Sequence, residues 1–363
     1  MSAIGGGDAW PRLAIWGEGS RIGFLSRSDP PGVVGPVRYL TDALVYTSAT
    51  TFESMVDAFL TNAIHNFVSK ADSPALQSQF DALKCERSDP EAVAWRRMEA
   101  RLGFDPDEAP QGLMAEMSEF ADAYGGPGVE EAAMATPGAR AANVLETEIN
   151  AGRQSRVKCR FPTAIKAVGP IKPGNQAPWE LAEDAASRLR NVLGRAPGPL
   201  PNAELASILE TSRVHFKTAA RAPASNLPYG LRLSVDGESS HQVVVKSRWS
   251  GDRRFELTRA LGDAIWASGD RLGPLAASKS ARQKFQRAFA QSLLCPYGDL
   301  LAYIGTEQAT DNDMTAAAAH FHVSEGVVRT VLVNKGRLNR ERLDPIRPYV
   351  ADIEQLEDWV EAA

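Results

Sequence analysis

The stretch RRFELTRALGDAIW, residues 253–266, carries side chains at the spacing from which a helix builds a catalytic metal site. Residues four apart share a helix face. A catalytic zinc is held by two histidines at that spacing, with a general-base Glu directly after the first. In this chain the three positions are Arg259, Ala260 and Asp263. Arg has no lone pair for a metal, Ala takes no proton from water, and Asp alone is one ligand where a catalytic zinc needs three. The spacing predicts instead a salt bridge between Arg259 and Asp263 on the face that would have held the metal. The next helix, ARQKFQRAFAQSLLCP over 281–296, offers no carboxylate ahead of FAQSLLCP, and its Lys284 and Arg287 predict a cationic lining.

Other chemistry is not encoded more clearly. The histidines are His65, His215, His241, His320 and His322. His320 and His322 are two apart and point to different helix faces, His241 starts a strand, and His65 lies beside an apolar stripe as a structural or surface residue. No metal and no cofactor is expected. The GxSxG, GxxxxGK[ST] and strand-to-helix GxGxxG patterns are absent from the sequence, and the Gly5-Gly6-Gly7 run is too near the start for a phosphate loop. The acids Asp105, Asp107 and Glu108 read as the opening of a helix, where carboxylates meet the positive end of its dipole.

The elements that must position these residues follow from composition and periodicity. A chain of 363 residues with 44% apolar and 23% charged residues supports two or three cores. Net charge is −5, so bulk electrostatics do not favour a polyanion, although a local basic patch is compatible with it. Cys85, Cys159 and Cys295 are odd in number and far apart, which argues for reduced thiols. The first residues lack a basic region followed by an apolar one, and no run reaches the ~20 apolar residues of a membrane span. The expectation is a cytoplasmic protein with no membrane contact.

Residues 1–150 read as one domain, short strands followed by a helical bundle. RLAIWGEGSRIGFL suits a hairpin about its Gly-Glu-Gly turn, and SDPPGVVGP is a loop. TTFESMVDAFLTNAIHNFVSKA, 50–71, places Phe52, Met55, Val56, Phe59, Leu60, Ile64 and Phe67 on one stripe, with Thr50 and Thr51 to cap it. Three helices follow over 73–126, the second opened by Asp89-Pro90 and closed by Gly103. Then come a break at 125–128 and a short helix. The segment 151–178 holds six cations and many Pro and Gly, shows no clear amphipathic face, and reads as a basic linker. Beyond it, helices are expected at 179–194 and at GPLPNAELASILE. A hairpin should turn at Asp236-Gly237, GDRLGPLAASKS should form a loop, and helices should follow to the end. The fold class expected is α+β and mainly helical.

The helix 179–194 with GPLPNAELASIL, the strand VVVKSR leading to RRF and a Leu-Gly pair, FAQSLLCP, and AAAAHFHVSEGVVRTVLVNKGRL occur in an order that resembles the ImmA/IrrE-type metallopeptidase domain. The resemblance covers about 175–340. It implies a zincin-like small sheet with helices over 179–310 and a helix-turn-helix-like tail over 311–363. It places the first zinc histidine at Arg259, the general base at Ala260 and the second histidine at Asp263, a vestigial and inactive site. By resemblance, the chain is expected to be a regulatory or sensor protein of stress responses or mobile elements, binding a protein, peptide or other ligand. A second reading makes it a DNA-binding regulator through Arg329, Lys335, Arg337 and Arg340 on and after the last helix. A third makes it a zinc endopeptidase with unusual ligands that cleaves a repressor.

Overall fold

The computed structural model describes residues 12–29, 32, 38–66, 73–172, 174, 176–194, 197–212, 227–234, 240–247, 249–305 and 309–343. Gly5–Gly7, Phe67, His215, Asp236-Gly237 and most of SDPPGVVGP lie outside the described residues, as does the end of the chain beyond 343. The fold is α+β, 61% helical, with 14 helices and two small antiparallel sheets among the described residues. None of these helices is long and apolar enough to cross a membrane.

The chain divides into two units, Met1–Trp95 with Lys172–Pro178, and Arg96–Ile171 with Trp179–Ala363. The first holds strands β1 (Arg12–Glu18), β2 (Arg21–Arg27) and β3 (Ala43–Ser48) in antiparallel order, then helices α1 (Ala49–Asn66) and α2 (Ser73–Ser88). The expected hairpin is present, but it turns one residue later than Gly-Glu-Gly suggests. Glu18 ends β1 opposite Arg21 and pairs with it at 2.8 Å, leaving Gly19 in the left-handed region at φ 70°. Ser48, rather than Thr50 or Thr51, caps α1 by accepting the Thr51 N–H at 3.0 Å. The apolar stripe of α1 is only partly covered: Ile64 is buried and Phe52 meets Phe24, whereas Met55 and Phe59 stay exposed.

The second unit is built around a four-stranded sheet in the order β4-β6-β5-β7, where β4 is Lys158–Cys159, β5 Gly230–Ser234, β6 His241–Val244 and β7 Leu272–Leu275. Helices cover both faces. On one side lie α3 (Pro90–Leu102), α4 (Gln111–Tyr124), α5 (Gly126–Ala135) and α6 (Ala141–Gln154), whose Met98, Met114, Met117, Leu145 and Ile149 share a core with Leu231, Leu233 and Leu272. The other side carries α7 (Pro162–Val168), α8 (Pro178–Val192), α9 (Asn202–Ile208), α10 (Ser250–Trp266), α11 (Ala281–Leu294), α12 (Tyr297–Ile304), α13 (Asp311–Phe321) and α14 (Glu325–Asn334) around Val243, Phe285 and Phe289. Strands of period two send alternate residues to opposite faces. Leu231 and Leu233 therefore meet α6 while Arg232 faces α10.

Four expectations are corrected here. A domain boundary at 150 fails because residues 96–150 pack on a sheet made largely of residues 230–275. The segment 151–178 is not a solvated linker as a whole. Val157, Cys159 and Phe161 are buried while Arg156, Lys158 and Arg160 alternate with them in solvent, so these three basic residues lie on the outer side of an edge strand and its flanks, whereas Arg153 belongs to α6 and Lys166 to α7. GDRLGPLAASKS contains β7, whose Pro274 is tolerated because β7 is an edge of the sheet. Finally, Asp105, Asp107 and Glu108 do not open α4, which begins at Gln111. Asp107 has φ 68° and pairs with Arg96 at 2.8 Å, closing the turn between α3 and α4.

Candidate functional site

Helix α10 lies over the sheet and against α11, and both its ends carry polar residues inward. Arg259, Ala260 and Asp263 all lie on its buried side. Asp263 is fully buried and accepts four hydrogen bonds. Its Oδ1 takes Arg282 Nε at 2.6 Å and Gln286 Nε2 at 2.6 Å; its Oδ2 takes Arg232 Nε at 2.8 Å and Arg282 Nη2 at 3.0 Å. A carboxylate has about four lone-pair sites. All are occupied by donors, which leaves none for a metal. Burial alone would push the Asp263 carboxyl up, but the charges of Arg282 and Arg232 outweigh it and hold it below the usual carboxylate range.

The surrounding groups lock this arrangement. Arg282 also donates to Asp270 Oδ2 at 2.6 Å and to Leu272 O at 3.0 Å. Arg232 donates to Asp270 O at 3.0 Å, and its Nη1 lies 3.3 Å from His241 Nδ1. A guanidinium has only protons to offer, so Nδ1 accepts and the imidazole proton sits on Nε2, which is buried without a partner. Burial and the Arg232 charge push His241 down to about 3, and its ring stacks on Phe161. It is a neutral imidazole with no free lone pair. Gly273 is required where the carboxylate passes over β7: a Cβ there would overlap the Asp263 carboxylate and stand 2.9 Å from Arg232 Nε.

The expected Arg259–Asp263 salt bridge does not form. Asp263 is saturated by Arg232 and Arg282, and Arg259 Nη2 turns the other way, to Ala276 O at 2.7 Å, Gln283 Oε1 at 2.7 Å and Gln286 Oε1 at 3.2 Å. The Lys284 ammonium lies over the ring of Trp179, 5.8 Å from the centroid. Arg287 donates to Ala276 O, which Arg259 also holds, at 3.3 Å and to Ser278 O at 2.9 Å. Ala260 is buried among apolar side chains.

Chemically, the cluster orients and neutralises; it holds no activated nucleophile and no base with an open lone pair. Cys159 and Cys295 are buried and their thiols are pushed up to about 12 by burial. His320 stacks on Tyr303, away from Asp263, and His322 ends α13 in the left-handed conformation. Among the described residues no group of three or more His, Cys, Asp or Glu is placed to hold a metal ion.

The tail cations are largely engaged. Arg329 meets Asp311 at 3.1 Å and Glu325 at 3.6 Å, Lys335 meets Glu183 at 2.7 Å, and Arg337 donates to Tyr297 Oη at 3.2 Å, while Arg340 is exposed. Val327, Val328, Val331 and Leu332 of α14 are buried in the core. No family profile, curated protein or solved structure matches the chain.

The spacing in α10 points to a helix that carries a buried polar cluster, but not to the partners that Asp263 takes there. Arg232, Asp270, Arg282, Gln283, Gln286 and Gly273 were not singled out by the motif. The available signal was an Arg inside an otherwise apolar strand, GLRLS, together with a polar stripe Arg282, Gln283, Gln286 interleaved with Phe285 and Phe289. A polar side chain amid residues of core type demands a buried partner.

Proposed function

We propose that residues 175–340 are a metallopeptidase-like domain of the ImmA/IrrE type whose metal position has been taken over by an arginine–aspartate–glutamine network. On this reading the chain is a non-catalytic regulatory or sensor protein of the kind that serves stress responses and mobile elements, acting by binding a protein or peptide partner. The order of helix, small antiparallel sheet, inward-facing helix and following helix supports it. The observation that carries it is the saturation of Asp263 by Arg232, Arg282 and Gln286, with Arg259 at the first ligand position and Ala260 at that of the base. A domain that retained peptidase chemistry would need an open coordination position there.

The test is elemental analysis of purified, tag-free protein for zinc, manganese and iron, paired with a peptidase assay with and without chelator. The expected result is metal far below one per chain and no chelator-sensitive cleavage. Near-stoichiometric zinc, lost together with an activity on chelation, would overturn the reading and make Asp263 and His241 the first residues to mutate.

A further inference from the structure

Four guanidiniums gather where α10 and α11 meet β5 and β7: Arg232, Arg259, Arg282 and Arg287. Carboxylates touch two of them: Asp263 is bonded by Arg232 and Arg282, and Asp270 by Arg282. Arg259 and Arg287 are left on uncharged acceptors. The other carboxylates nearby, Glu131 and Glu256, act through their charge on Arg287 and Arg259 without touching them. Glu131 accepts the Ser280 hydroxyl at 2.8 Å, and Glu256 accepts the backbone N–H groups of Lys246 at 2.5 Å and Ser247 at 3.1 Å. Neither forms an ion pair with Arg259 or Arg287 among the described residues.

These two cations, with no carboxylate in contact among the described residues, converge. Both donate to one carbonyl, Ala276 O, and Arg287 also holds Ser278 O. Arg259 is 8% exposed and its Nε has no partner; the hydroxyl of Ser278 is likewise buried and unpartnered. Arg287 and Ser278 are each partly exposed, so the pair opens to solvent on their side. Lys279, on the same loop, is exposed and adds positive charge. Burial opposes the charged form of Arg259 and the Arg287 charge opposes it further, with Glu256 and Asp263 acting the other way; it comes down to about 10 and stays protonated at neutral pH. A buried cation with no carboxylate in contact is costly, and an anion that bonds to it directly relieves part of that cost.

We infer that Arg259, Arg287 and Ser278 form a binding site for an oxyanion, a carboxylate or phosphate group. Arg259 is the buried donor, Arg287 the donor nearer solvent, and Ser278 the unpartnered hydroxyl on the loop whose carbonyls the arginines already hold. Guanidinium forks suit the geometry of such groups and bond them bidentately. The site names the chemistry that a partner would present; it rests on the proposed function only for the existence of a partner, since the arrangement of donors uses no resemblance.

The experiment is isothermal titration of the full-length protein with sodium phosphate and, separately, with sodium glutarate, each against sodium chloride at matched ionic strength. Saturable binding of either probe at one per chain is expected. Phosphate alone would name a phosphorylated ligand, and glutarate a carboxylate-bearing one. Arg287→Ala should weaken binding roughly tenfold or more, and Ser278→Ala by a smaller factor, with circular dichroism unchanged in both. Arg287→Lys should recover part of the loss, because it keeps the charge and loses the fork. No saturable binding of either probe, or binding that Arg287→Ala and Ser278→Ala both leave unchanged, would overturn the site. The two readings fail separately: zinc bound at one per chain removes the non-catalytic reading, whereas a silent titration of metal-free protein removes the anion site alone.

Discussion

Asp263 is the residue on which the second unit's polar interior depends. Replacing it by Asn keeps the shape but removes the charge, and it sets an amide N–H₂ among donors from Arg232, Arg282 and Gln286. Breaking a buried ion pair on one side leaves an uncompensated charge and costs about 3–5 kcal/mol. Asp263→Asn should lose stability of that order in urea denaturation, and a loss under ~1 kcal/mol would mean that the network is looser than its geometry. Glu148 is the opposite case. It is fully buried, neither oxygen makes a well-formed hydrogen bond, and burial pushes it up to about 8 against an ordinary 4.5, with the Tyr229 backbone N–H and the Lys246 charge opposing. The folded state therefore holds a proton that the unfolded chain releases between those values, so this residue makes stability fall as pH rises from about 4.5 to about 8 and adds no slope beyond. Glu148→Gln should match the parent near pH 4 and exceed it at pH 8 by on the order of 2 kcal/mol; an identical difference at both pH values would show that Glu148 does not titrate in that window. Neither role was legible from the sequence. The spacing of Arg259 and Asp263 marked a helix face, but a salt bridge between neighbours on one helix is a local rule, and the partners that won, Arg232 and Arg282, are 31 and 19 residues from Asp263.

At the scale of elements, β7 shows what periodicity misses. LGPL reads as a loop because Gly and Pro punctuate it, yet each has a positional reason. Pro274 sits on an edge strand, and Gly273 makes room for the Asp263 carboxylate. Gly273→Ala should therefore cost about 2 kcal/mol or more by overpacking, while Gly269→Ala, with nothing within 4 Å of its added Cβ, should stay within about 0.5 kcal/mol of the parent. Thermal denaturation of the two variants side by side checks this, and equal midpoints would remove the steric argument. The basic segment taught a similar lesson. Its period-two alternation was present in Val157, Lys158, Cys159, Arg160 and Phe161, but only two residues, Lys158–Cys159, form the ladder, too short a run to stand out from a linker. Helices were more readable, because their stripes and end signals are local. Ser280 caps α11 by accepting the Gln283 N–H, and Thr310 and Asp313 form a reciprocal capping box on α13. Thr310→Ala should lose about 1 kcal/mol.

For the whole molecule, the decisive question is how stability divides along the chain. The sequence placed a boundary at 150 because strands followed by helices look self-sufficient and a Pro/Gly-rich segment follows. Core membership says otherwise. Each face of the second sheet is covered by helices distant in sequence, and both cores draw all their buried members from residue 98 onward. The first unit, by contrast, has Ile64, Phe80 and the small Ala177 as its buried apolar residues among those described, and leaves Ile15, Leu44, Val45, Met55, Phe59, Leu76 and Leu83 exposed. Stability scales with apolar area removed from water, so nearly all of it should reside in the second unit. A chain beginning at Asp89, which keeps α3 intact with its buried Met98 and Leu102, should unfold cooperatively at a denaturant midpoint close to that of the full chain. A chain beginning at 151 should not, because it discards Met114, Met117, Val129, Leu145 and Ile149 from the core on the α6 side of the sheet and exposes Leu231, Leu233 and Leu272 to water. Removing several large buried side chains at once exceeds the 5–15 kcal/mol by which a domain is ordinarily stable. If instead the 151 chain folds and the 89 chain does not, the helices 96–150 belong with the first unit and the two-sided sheet is not the core of this protein.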